Sequence, residues 1–415
     1  MDPRRRPGGA LEMMVVKMIW GLFLLLFGNA LTQFSCPQNC LCSLLVIDCR
    51  FANLSDIPQG IAGGTETLFL NGNHLTQLPP GVLQPFVNLT FLGLSYNKLF
   101  LQNNTFDDIS KSIHALDLAG NNLTELPPAL FQNTKKLVWL NLAGNRLSVL
   151  HGKIFASLER LTYLDLSQNR LQLSVNMFTG ISQLDTLMVS SNHLNSVPAG
   201  VFDPVPNLKI LDISNNEISS LPENLFENLT NLNDLLLDNN NFKKIPFSAF
   251  TILPTLEHFS ISGNSIQNIP LLSFIGNSRL RKLDLSNNLV SDIPLNFFSV
   301  LKQLEFLNLS GNNINTLPGD IFVNNTQLAF LHLDRNQLHT LPIFSGLQSL
   351  TELTLCCNGI ENLPRTFTDK MYELELLDLS NNNITESKGL NSNVTRVILT
   401  GNPVCTNSML FKTYC

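Results

Sequence analysis

The chain has 415 residues, 44% of them hydrophobic and only 14% charged, with a formal net charge of −6. Apolar content is ample for a continuous core, and Asn and Ser supply much of the polarity that charge does not. No Lys/Arg-rich run or basic patch is visible along the sequence, which argues against nucleic acid as a partner.

Residues 1–30 read as a secretory signal peptide. A basic start (Arg4, Arg5, Arg6, Lys17) precedes the short apolar run MIWGLFLLLF at 18–27, and Gly28 and Ala30 offer small residues for cleavage. Ten apolar residues are too few to cross ~30 Å of hydrocarbon. No later segment reaches a spanning length, so no membrane span is expected in the mature chain. Eight cysteines follow: Cys36, Cys40, Cys42, Cys49, Cys356, Cys357, Cys405 and Cys415. In an exported protein such clusters mean disulfides. The first four have the spacing C-x3-C-x-C-x6-C, which allows three pairings and, as a competing reading, a zinc site.

Beyond them fifteen asparagines recur: Asn73, Asn97, Asn121, Asn145, Asn169, Asn192, Asn216, Asn240, Asn264, Asn288, Asn312, Asn336, Asn358, Asn382 and Asn402. The step is 24 residues except for 23 into Asn192, 22 into Asn358 and 20 into Asn402. One period held over so long a stretch means stacked coils, each touching only its neighbours. Aligned on the asparagines, the units read L-x-x-L-x-L-x-x-N-x-L, as in LVWLNLAGNRL (137–147) and LKILDISNNEI (208–218). The L-x-L core predicts a short strand with its leucines inward and its x positions outward. The asparagine, a side chain with both donors and an acceptor, is suited to satisfy the buried turn that follows. The polar ladder is therefore expected to be scaffold.

About ten residues after most ladder asparagines comes a second beat: Phe131, Phe155, Phe202, Phe226, Phe250, Phe274, Phe298 and Phe322. Phe106, Phe178, Phe344 and Phe367 follow at eight or nine. This predicts an inward aromatic stripe of stacked rings on the far side of the core. Leu-Pro pairs at 78–79, 126–127, 221–222 and 317–318 favour extended or tightly turned segments there over long helices.

From residue 36 onward the chain resembles extracellular leucine-rich repeat proteins. The resemblance implies an α/β repeat solenoid, a horseshoe with a parallel concave β-sheet and a convex side of mostly irregular, 3-10 and extended segments. It divides the chain into a signal peptide (1–30), an N-terminal cysteine cap (31–64), leucine-rich repeats (65–393), and a last repeat with a short C-terminal cysteine cap (394–415). It also implies the bridges Cys36–Cys42 and Cys40–Cys49, and sets zinc aside. A Cys405–Cys415 bridge is expected at the back. This ending departs from the common animal C-terminal cap, and looks more like the N-P-x-C endings of some receptor kinases. The state of Cys356 and Cys357 is left open.

The outward strand positions are the expected ligand face. One ladder runs Thr67, Phe91, Ala115, Trp139, Tyr163, Thr186, Ile210, Asp234, His258, Lys282, Phe306, Phe330, Glu352, Leu376. From it Phe91, Trp139, Tyr163 and Ile210 are the ligand-binding candidates, because outward aromatics beside a polar ladder suit an interface anchor. The competing reading is that they only cover one another, as cross-strand aromatic pairs do. The next ladder is mostly polar, and its carboxylates Asp117, Asp165, Asp212, Asp284 and Asp378 are read as a solvated face. Nine N-x-S/T sequons are glycosylation candidates: Asn53, Asn88, Asn103, Asn122, Asn228, Asn308, Asn324, Asn383 and Asn393. Asn308 points from the concave sheet, where a glycan would cover Phe306 and Phe330 and push a protein ligand towards the N-terminal half.

The seven histidines lack metal-ligand spacing, and no phosphate-cradling loop, metalloprotease helix or nucleophile elbow occurs. No enzyme, metal or cofactor is expected. The expectation is a secreted recognition protein binding a protein ligand on its concave face, in adhesion, immunity or signalling. The alternatives are a structural extracellular-matrix protein, with glycan or matrix contacts, and a truncated receptor ectodomain.

Overall fold

The structure, a computed structural model, describes residues 36–250, 253–386, 390 and 394–407. The expected signal peptide, Asn393 and Cys415 lie outside the described residues. Seventeen strands, each of three residues, carry one sheet. β1 (Leu41–Ser43) and β2 (Val46–Asp48) form an antiparallel hairpin at the front. From β2 onward each strand pairs in parallel with the next. The series runs β3 (Thr67–Phe69), β4 (Phe91–Gly93), β5 (Ala115–Asp117), β6 (Trp139–Asn141), β7 (Tyr163–Asp165), β8 (Thr186–Met188) and β9 (Ile210–Asp212). It continues through β10 (Asp234–Leu236) and β11 (His258–Ser260) to β17 (Arg396–Ile398). Equivalent residues face each other, Leu116 opposite Leu140 and Leu140 opposite Leu164, so the sequence period is also the register. In most strands the middle residue is buried and its two neighbours point outward, as the L-x-L pattern demands.

The strands are short because the chain turns inward straight after them, and the asparagines make that turn possible. Asn145 is representative. Its Nδ2 donates to Leu142 O of its own coil at 2.9 Å and to Leu118 O of the preceding coil at 3.0 Å. Its Oδ1 accepts the backbone N–H groups of Asn121 at 2.9 Å and Leu123 at 3.0 Å. The carbonyls are shared: Leu142 O also accepts from Asn169, and Leu118 O from Asn121. Each coil is thus tied to the one before it by side-chain bonds inside the core. All the ladder asparagines are buried except Asn358, which is half-buried and follows a shortened repeat.

A backbone period accompanies the ladder. The residue before every ladder asparagine has a left-handed φ, from 50° at Asn239 to 78° at Gly401. Glycine or asparagine fills most of these places, as the steric cost for other side chains predicts. Tyr96, Gln168, Ser191, Arg335 and Cys357 occupy the same conformation without that advantage.

On the far side the chain is nearly free of helix. Two 3-10 turns, Asp107–Ile109 and Phe247–Ala249, and one short helix, α1 (Val404–Asn407), are all that the described residues contain. The phenylalanine stripe is core. Phe106, Phe131 and Phe155 stack in series at 6.4 Å, and Phe178, Phe202 and Phe226 at 6.2 and 6.0 Å. Phe297 bridges Phe274 to Phe298 further along. Two buried asparagines not anticipated from sequence, Asn277 and Asn325, repeat the donor half of the ladder's device here. Each donates to two backbone carbonyls of the preceding coil.

The first coil is capped by the Cys40–Cys49 disulfide, S–S 1.99 Å, with Cys49 fully buried under it. Cys36, Cys42 and Cys405 are each disulfide-bonded. Cys356 and Cys357, which the sequence left open, are bonded to each other.

Candidate functional site

The outward side chains of β3 to β7 build one continuous aromatic track. Phe69 and Phe91 lie 5.1 Å apart, Phe91 and Trp139 6.4 Å, and Trp139 and Tyr163 5.4 Å. Ala115 stands on the strand between Phe91 and Trp139, and its small side chain lets the indole reach across to the next ring. At the front the Arg50 guanidinium sits 5.0 Å over Phe69, fixed by Asp48 at 2.5 and 2.9 Å. That pair holds the Asp48 carboxyl below its ordinary pKa, mainly through the Arg50 hydrogen bond, and raises that of Arg50. All four rings are half-buried: packed on each other and still open to solvent.

Three of the four sequence-derived candidates, Phe91, Trp139 and Tyr163, therefore fall in one assembly. Ile210 does not join it. It is half-buried two strands beyond Tyr163, with Thr186 between. Phe69 is the member that the sequence reading passed over, because it belongs to the second outward ladder. Only the diagonal packing of adjacent strands brings it to Phe91.

The acidic ladder is not the solvated face that its sequence suggested. Asp212 is buried, and Asp117, Asp165, Asp284 and Asp378 are half-buried. Each accepts the backbone N–H two residues ahead, just past the end of its own strand, as Asp165 does from Ser167 at 2.9 Å and Asp284 from Ser286 at 2.8 Å. Asn141 and Asn308 serve Ala143 and Ser310 in the same way. In two coils whose strands carry Ser260 and Thr354 at that place, an aspartate of the preceding coil substitutes. Asp238 accepts from Ser262 N, and Asp334 from Cys356 N, both at 2.7 Å. Burial raises the pKa of Asp117, Asp165, Asp238 and Asp334, outweighing the hydroxyl and amide hydrogen bonds that lower it. These carboxylates finish strands. Further along the sheet His258 pairs with Asp234, and His332 lies 3.4 Å from Glu352. Among the described residues no group of three or more potential ligands could hold a metal ion.

Of the sequons, Asn53, Asn88, Asn103, Asn122, Asn228, Asn324 and Asn383 are exposed. Asn308 is half-buried on the sheet. Its Nδ2 donates to Asp284 at 3.0 Å and its Oδ1 accepts from the Ser310 hydroxyl at 2.7 Å. Among the described residues no helix is long and apolar enough to cross a membrane.

Similarity to known proteins agrees with this architecture. The leucine rich repeat family profile matches residues 111–171, 182–242, 230–290, 278–338 and 348–402, more than half of the chain. Among curated relatives, human leucine-rich repeat-containing protein 3B is 30% identical over 130 residues, which is 30% of this chain and 49% of that protein. Rat reticulon-4 receptor-like 1 is 36% identical over 88 residues, 21% of this chain and 20% of the relative. The matches thus span half or less of those relatives' own length. Among solved structures, a leucine-rich repeat protein of Leptospira interrogans superposes with a TM-score of 0.76 at 26% identity, covering 85% of this chain and 89% of that one. The Drosophila Toll–Spatzle complex gives a TM-score of 0.71 at 24% identity, over 82% of this chain and 51% of that one, a likeness of fold alone. With coil, ladder and profile in agreement over most of its length, the chain belongs to the leucine-rich repeat family.

Proposed function

We propose that this is an extracellular recognition protein that binds a protein ligand on the concave sheet, anchored on Phe69, Phe91, Trp139 and Tyr163. The observation that carries this reading is the four-ring track, half-open to solvent, at the front of the sheet, longer than the Phe306–Phe330 pair further along the same face. Large aromatics in a partly desolvated patch are the usual energetic anchors of protein interfaces. The ring geometry also favours a protein over a sugar. Trp139 and Tyr163 lie within 14° of parallel and Phe91 stacks on the far side of Trp139, so the indole faces are covered and its edge is displayed. Sugar binding would need a free face, whereas ring edges pack against apolar side chains and carbonyl oxygens. Export fits the bonded cysteines and the basic-apolar segment at 1–30. A relative named as receptor-like supports the class of function without naming the ligand.

The test is a screen of the recombinant protein against a panel of extracellular proteins, followed by the W139A/Y163A variant. Loss of the captured interaction with an unchanged melting temperature is expected. Binding that persists while the variant melts lower would reduce the track to packing.

A further inference from the structure

The residue directly after each ladder asparagine lies on one flank of the sheet. In consecutive coils this position holds His74, Lys98, Asn122, Arg146, Arg170 and His193, all exposed. In linear sequence these residues stand 23 or 24 apart and form no run; the coil brings them into a row. Backbone bonds fix their alignment, with Lys98 N donating to Leu75 O, Arg146 N to Leu123 O and Arg170 N to Leu147 O. Side chains at neighbouring places reach each other: His193 lies 3.3 Å from Glu217, the next residue of the series. Glu217 ends the row, and past it the same place holds no cation: Asn241, Ser265, Leu289, Asn313, Gln337, Gly359 and Asn383. Lys98, Arg146 and Arg170 make no ion pair among the described residues.

We infer that this flank binds a linear sulfated polysaccharide lying along the solenoid. Five coil steps at ~4.8 Å give a row ~24 Å long, with Arg146 and Arg170 one step apart and Lys98 two steps before Arg146. A stiff polyanion with charges every few ångströms matches such a rail, and arginine forks suit planar anionic oxygens. A single-stranded nucleic acid fits less well, because it is held by aromatic side chains on which successive bases stack. Tyr96, two residues before Lys98, lies over Gly120, close enough that a Cβ there would meet it at 2.7 Å. The sheet face also discriminates. Half-buried carboxylates, Asp117, Asp165, Asp234, Asp238, Asp284, Asp334, Glu352 and Asp378, line it against Lys282 and Arg396, so a polyanion is disfavoured there and accepted on the flank. The concave track stays open for its own ligand while the flank is occupied.

Asn122, a sequon, stands inside the row, so the experiment uses enzymatically deglycosylated full-length protein. Affinity for immobilised heparin is compared among the native protein, the K98Q/R146Q/R170Q variant, and a control with the same charge change, K243Q/K244Q/K302Q, at exposed lysines elsewhere. At about fivefold per cation the row variant loses roughly a hundredfold, while the control stays within a fewfold of native. Desulfated heparin should not bind. Equal losses in both variants, equal binding of desulfated heparin, or a poly-dT oligonucleotide competing as well as heparin would each overturn the assignment.

Discussion

Replacing Asn145 by alanine tests what the ladder contributes, and its bonding determines the size of the effect. The side chain makes five hydrogen bonds, but the three carbonyls it serves keep another donor each: Asn121 for Leu118 O, Asn169 for Leu142 O and Gly120 N for Ala143 O. The two amides it accepts, Asn121 N and Leu123 N, lose their partner inside the core. A buried N–H left unpaired costs ~1–3 kcal/mol, so Asn145→Ala should destabilise by about 4 kcal/mol. At Asn358 the same substitution orphans one amide, Leu338 N, in a half-exposed turn that water can enter. The expected loss there is ~1 kcal/mol. Urea denaturation of both variants measures the difference, and amide exchange at Asn121 and Leu123 locates it. Equal losses, or unchanged exchange at those two amides in Asn145→Ala, would refute the claim that the acceptor side of the ladder carries the energy.

Other expectations follow from the same geometry. Phe202 is 1% exposed and stacks on both Phe178 and Phe226, so Phe202→Ala should cost ~3–5 kcal/mol in equilibrium unfolding. Asp238 has a raised pKa because burial opposes its charge, so its ionisation works against the fold and its contribution is lost as pH rises through the folded pKa. Asp238→Asn, which keeps an acceptor for Ser262 N, should be more stable than the native protein at pH 7. The difference should close on acidification and vanish below pH 3.8, the ordinary value; melting curves across that range would show it. Arg335 is exposed at φ 53°, so Arg335→Gly should relieve ~1 kcal/mol of local strain and raise the melting temperature by a degree or two after glycine's entropy cost. A lower melting temperature would mean that the arginine side chain is held by contacts stronger than the strain.

Much of the fold was legible because one residue type marks it. Asn73 through Asn402 set the register, and register alone assigns Trp139 and Tyr163 to the open face and Phe131 to the core. The left-handed position before each asparagine was not legible. Gly144, Tyr96, Gln168 and Arg335 share a conformation and no chemistry. The aspartates misled for a different reason: a carboxylate beside a polar ladder reads as solvated, and only the N–H two residues ahead explains its place. The cue was present in the recurring Asp-Leu-Ser strings, where a small residue stands at the paired amide. Phe69 was missed because ladders were read one at a time, whereas side chains also pack diagonally. The cationic row escaped because its members are a full coil apart, beyond any window that looks for clustered charge.

The shared carbonyls of the ladder bear on how such a chain can change length. Excising residues 265–288 would join Asn264 to Leu289 and leave Val290 N still donating to Asn312. Ile261 O, relieved of Asn288, would take the Asn312 donor that Leu285 O now accepts. The ladder bonds across the splice have replacements of their own kind. The convex side gives up the two bonds from Asn277 to Phe250 O and Leu253 O, since Leu301 would take its place. A whole 24-residue coil can leave or enter here with the ladder closed behind it. Coils shorter by one, two or four residues also close the ladder, at Asn192, Asn358 and Asn402, so the length differences are taken up between the strands. Reach along the array can therefore vary in single-coil increments while the aromatic track at the front stays as it is.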